Sequence, residues 1–101
     1  MLGIFHQGDI IKIEKIKFPV LVVSKDFFNA TGQIIGCPVL PNATKGPLHI
    51  TITGKEITGI VICEELKKLD LRIRGCKKID VIQSNELMNI ADAIQGIFDY
   101  I

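Results

Sequence analysis

Residues 18–40 read FPVLVVSKDFFNATGQIIGCPVL, two apolar runs joined by a polar Asn29-Ala30-Thr31-Gly32. After Pro19, the run PVLVVS is β-branched and apolar up to Ser24, the composition of a central strand. QIIGCPVL reads as another strand. Gly36 and Pro38 inside it predict a bulge or a sheet edge, because proline cannot donate to a ladder. Between the runs, Asn and Gly tolerate left-handed backbone, and Asn and Thr side chains bond their own backbone, so NATG reads as a turn.

Working outward, GDIIKIEKI alternates after Gly8, with Ile11, Ile13 and Ile16 on one side and Lys12 and Glu14 on the other. That predicts a half-buried strand, and its short separation from PVLVVS predicts an antiparallel hairpin. On the other side, LHITI and GIVIC are two further strands around the turn TGKEITG. In LKKLDLRIRG the apolar Leu69, Leu71 and Ile73 alternate with Lys68, Asp70, Arg72 and Arg74, a strand whose wet face is basic. From Ser84 the period changes. Leu87, Ile90, Ala91, Ile94, Ile97, Phe98 and Ile101 form a helical stripe, with Ser84 as N-cap and Glu86, Asp92 and Asp99 on the polar face. The fold class is therefore β-rich α+β: one domain over residues 1–101, a small twisted antiparallel sheet closed by a C-terminal amphipathic helix.

Composition agrees with one self-sufficient core, since 48% of the 101 residues are hydrophobic. Cys37, Cys63 and Cys76 are odd in number and show no C-x-x-C spacing, which argues against a zinc site or a disulfide framework. The opening MLGIFHQGDIIKIEK lacks a basic start and a long apolar run, so no signal peptide is expected. No apolar stretch reaches the length of a membrane span. A cytoplasmic protein follows as the expectation, and the acceptor patterns at Asn29 and Asn42 are then accidental. Net charge is only +1, but Lys67, Lys68, Arg72, Arg74, Lys77 and Lys78 hold six of the twelve Lys and Arg residues. Such a strip attracts phosphate or is simply solvated surface.

GDIIKI, FPVLVVSKDFFNATGQIIGCPVL and TGIVICEELKKLD, in that order and followed by a helix, resemble the MazF/PemK family of toxins. The resemblance covers Gly8 to Ile101. It implies a small SH3-like β-barrel, a homodimer, restraint by a cognate antitoxin peptide, and cofactor-free, metal-independent cleavage of single-stranded RNA. Cleavage through the 2′-hydroxyl needs a base, a cation for the crowded phosphate and a proton for the leaving 5′ oxygen. The acid after Cys63, Glu64, matches the family and is the candidate base. The family's arginine before the proline is Phe18 here, its threonine position is Leu40, and an arginine found in some members is Ile62. Lys15 or Lys17 in the shortened EKIKF loop, and Thr44, are the remaining catalytic candidates. Lys68, Arg72, Arg74 and Phe18 are the candidate RNA contacts.

Blander readings stand beside these. Glu65 reads as surface and Asp70 as an ion-pair or turn-fixing partner of Arg72. His6 reads as an exposed tail residue, and His49 as a part-buried sheet histidine with its bonding needs met. The missing arginine and threonine leave two alternatives: a non-catalytic toxin of the related CcdB type that inhibits a protein target such as gyrase, or a homologue that only binds antitoxin.

Overall fold

The computed structural model describes residues 4–98. β1 (Asp9–Ile13) and β2 (Val20–Val22) form the expected antiparallel hairpin, with Ile10 opposite Leu21 and Ile11 opposite Val20. Lys15 makes its turn in the left-handed region, at φ 68°. Lys12 holds the loop by donating from Nζ to the carbonyls of Ile16 and Lys17, at 3.0 and 3.1 Å. Ile11 and Ile13 share a face as their spacing predicts, but β1 is not half-buried. Ile10 is fully buried on the opposite face, because the curled sheet carries a core on each side.

β3 (Gln33–Leu40) corrects the expectation of an edge or a bulge. It lies at the centre, paired with β2 on one side. On the other side it meets β6 (Lys67–Asp70) from Gln33 to Gly36 and β5 (Thr58–Ile62) at Val39 and Leu40. The Val39 N–H donates to Pro19 O at 2.8 Å, so odd-numbered amides of β3 turn toward β2. The absent N–H of Pro38 thus falls on the opposite side, where the partner changes from β6 to β5 and the ladder needs no donor. Gly36 is needed for close approach, since a Cβ there would collide with Val20 Cγ1.

β4 (His49–Thr53) completes a hairpin with β5, and β7 (Cys76–Val81) adds to β1. The path runs β4-β5-β3-β2-β1-β7, with β6 off it. Alternation does not announce β7, because Lys77 and Lys78 are both exposed and its pairing with β1 shifts register between Ile10 and Ile11. The strand predicted through Arg74 stops at Asp70. That carboxylate accepts the Arg72 N–H at 2.9 Å and folds the chain back, which leaves Ile73 78% exposed.

NATG is the end of a short helical turn, α1 (Asp26–Asn29). Asn29 is buried there: Nδ2 donates to Phe5 O at 2.8 Å and Ser24 O at 3.0 Å, and Oδ1 accepts from Ser24 Oγ. A glycan has no access to it. The terminal helix α2 (Ser84–Phe98) sinks Ile90 into one core beside Ile82, with Leu87 and Ile94 packed against it. Leu87 N–H donates to Gln83 O at 3.0 Å, so the cap position falls on Gln83 rather than Ser84. Glu86 is not simply on a wet face. Its Oε2 accepts the Thr53 N–H at 2.7 Å and covers part of the β4 edge. Phe98, at the end of the stripe, is 72% exposed, and Asp99 and Ile101 lie outside the described residues.

Candidate functional site

Where β3 changes partner, a groove of about 550 Å³ opens. Its walls come from the β1–β2 loop (Lys17, Phe18), β3 (Pro38, Leu40), the turn before β6 (Glu65), β6 (Lys67, Leu69) and the β6–β7 connection (Arg74). Lys17 lies over the Phe18 ring, its Nζ 5.1 Å from the centroid, a cation–π contact that holds the ammonium at the rim. Three cations and an aromatic ring thus share an open depression with a largely apolar floor. Phe18 and Leu40 both line it.

One residue before Glu65, Glu64 pairs with His49. Its Oε2 lies 2.9 Å from His49 Nε2, and His49 Nδ1 lies 2.6 Å from the Thr44 carbonyl oxygen. The β4–β5 hairpin makes this meeting possible, since His49 lies opposite Ile62, two residues before Glu64. A carbonyl oxygen can only accept, so Nδ1 carries a proton. Thr44 O and then Glu64 hold the His49 pKa above the usual histidine value. Its own backbone N–H, and then His49, hold Glu64 below the usual carboxylate range. Each partner thus favours the charged form of the other, imidazolium against carboxylate, with 18% of the His49 side chain and 43% of the Glu64 side chain exposed.

The structure brings Lys17, Phe18 and Arg74 into the groove, and gathers Glu64 and Thr44 around His49. Thr44 contributes its backbone carbonyl there. Lys15 sits at the turn between β1 and β2. Lys68 does not join Arg74. Lys67 and Leu69 line the groove, and strand alternation turns Lys68 to the opposite face. Arg72 is engaged twice by Asp70, Nε to Oδ1 at 2.9 Å and Nη2 to Oδ2 at 2.7 Å, and the guanidinium holds the Asp70 carboxyl well below its ordinary value. Lys67 is missing from the contacts read from the sequence, although its spacing of two from Leu69 puts it on the same face of β6. His49 was legible as a bonded sheet histidine, but its partner lies fifteen residues away, a distance that only the hairpin register closes.

Burial, first of all, pushes the Cys37 thiol up to about 12 and the Cys63 thiol up to about 11, so neither is a nucleophile at neutral pH. Among the described residues, no group of three or more His, Cys, Asp or Glu is arranged to hold a metal ion.

The model of the PemK-like, MazF-like toxin family of type II toxin–antitoxin systems matches residues 7–98. The chain belongs to this family. Its fold is that of solved MazF proteins. The MazE–MazF complex from Deinococcus radiodurans (form II) matches with a TM-score of 0.86 at 20% identity, over 98% of this chain and 99% of that one. An endoribonuclease from a mycobacterial species matches with a TM-score of 0.81 at 15% identity, over 94% and 91% of the two chains. The mycobacterial endoribonuclease in complex with its cognate antitoxin matches with a TM-score of 0.81 at 15% identity, over 95% and 98%. No curated protein sequence matches. Within this family fold, the groove of the present toxin lies at the switch of β3 between β6 and β5, with the Glu64–His49 pair beside it in the chain.

Proposed function

We propose that this toxin is a homodimeric, metal-independent endoribonuclease that cuts single-stranded RNA in the cytoplasm until a cognate antitoxin segment covers the groove. The groove carries this reading: Lys17, Lys67, Arg74 and Phe18 line one open depression, one residue along the chain from a carboxylate held in its charged form. Cations grip a phosphate backbone without regard to sequence, and the half-buried Phe18 ring on the groove wall gives an unpaired base a surface to stack on. Arg74 offers the planar fork for phosphate that Phe18 cannot.

Glu64 takes the proton of the 2′-hydroxyl as the 2′ oxygen attacks phosphorus. The bond from phosphorus to the 5′ oxygen breaks, and an ammonium of the groove, Lys17 or Lys67, returns a proton to that oxygen. Lys15, at the adjacent turn, meets the strand as it leaves the groove. The matched structures of MazF proteins and of an endoribonuclease bound to its antitoxin support this reading. A non-catalytic poison of a protein such as gyrase is not favoured by them.

A matched pair of oligonucleotides tests the chemistry. The toxin is expected to bind the ribose strand and its 2′-deoxy counterpart with similar affinity, to cut only the first, and to leave a 2′,3′-cyclic phosphate. Cleavage of the deoxy strand would overturn the 2′-hydroxyl mechanism.

A further inference from the structure

We infer that His49 is a positioning residue for RNA cleavage: fixed through Nδ1–H to the Thr44 carbonyl, it aims the Glu64 carboxylate. This deepens the nuclease reading and rests on it. The geometry leaves the ring one orientation. Nδ1 donates to Thr44 O at 2.6 Å, which aligns Nε2 with Glu64 Oε2 at 2.9 Å. A Cβ at Gly46 would lie 3.5 Å from Nδ1, so the loop that carries Thr44 also packs against the ring.

Because Nδ1 keeps its proton, the Nε2 proton is the one shared with Glu64. If Nε2 loses it, its lone pair faces the carboxylate and the pair pushes apart. The charged groups bearing on the ring are Glu64 and Glu65, both from the β5–β6 turn, and the loop before β4 adds the Thr44 carbonyl. Both acids favour the imidazolium. Glu64 is therefore held in place between two limits: below, where its carboxylate protonates, and above, where His49 becomes neutral.

The expected profile of single-turnover cleavage against pH is a bell, its acid limb below the ordinary glutamate value of about 4.3 and its alkaline limb above the ordinary histidine value of about 6.5. In His49→Gln the maximal rate is expected to fall about tenfold or more, a part of what general base catalysis contributes. Its acid limb is expected to move up, the alkaline limb set by His49 to be lost so that activity persists to higher pH, and its KM to stay, since the groove holds the RNA. A purely structural histidine would lower the rate and leave both limbs where they were, which would overturn the inference while keeping the nuclease. A wild-type toxin that cuts no RNA would overturn the nuclease reading and this inference together. Should His49→Gln not fold, the His49 ring can be titrated by NMR in wild type and in Glu64→Gln. A lower ring pKa in the variant supports the coupling, and an unmoved one overturns it.

Discussion

Asp80 shows how much of this fold rests on single polar side chains. Its Oδ1 accepts the N–H of Lys55 at 2.9 Å and of Val81 at 2.7 Å, and its Oδ2 accepts those of Glu56 at 2.9 Å and Ile57 at 2.7 Å. Burial raises its pKa, but these four backbone amides outweigh that and bring it down to about 2. In the unfolded chain an aspartate titrates at about 3.9, so the Asp80 contribution to stability is complete above that value. It disappears as pH falls through about 2. Asp80→Asn is expected to flatten the acid side of the unfolding midpoint measured against pH, and an unchanged curve would show that other carboxylates control it. Asn29 is a second such case. Asn29→Ala leaves the Phe5 and Ser24 carbonyls without their donor and is expected to cost about 1–3 kcal/mol in urea unfolding. The sequence marked Asn29 as a turn residue, but nothing local announced its burial, which comes from contact with the segment before β1.

At the scale of elements, strands whose apolar residues alternate or run together were legible, and so was the helix from its stripe. What was not legible depended on partners. Pro38 looked like an edge because a single sequence does not show that β3 changes neighbours there. Asp70 ended β6 early by a local bond to Arg72 that competes with the ladder. β7 went unread because two adjacent exposed lysines break its alternation. The helix carries its own test. Ile90 is fully buried against the sheet, so Ile90→Ala is expected to lower the unfolding free energy by about 2–5 kcal/mol. Asp92→Asn, on the exposed side of the helix, is expected to change it by less than about 0.5 kcal/mol, and equal effects would mean that the helix is not seated through Ile90.

Across the whole molecule, net charge is +1, so any hold on RNA comes from where the cations lie rather than from their number. Binding to uncleavable single strands is expected to weaken steeply with salt. Replacing Lys67 or Arg74 by Ala is expected to flatten the dependence of log K on log salt by about 0.7 for each phosphate that the variant no longer neutralises. Lys68→Ala, on the opposite face, is expected to leave that slope alone. The basic segment was plain in the sequence, but which of its members share the groove was not, because the choice follows from the face of β6 and the fold-back after Asp70. In the proposed reaction the Glu64 carboxylate serves a metal-free cut of RNA. The most direct measurement is incubation of the purified toxin with a long single-stranded RNA in chelator, beside Glu64→Gln. Discrete fragments from the wild type that the variant fails to produce are the predicted result; intact RNA in both, or the same fragments from both, would contradict it.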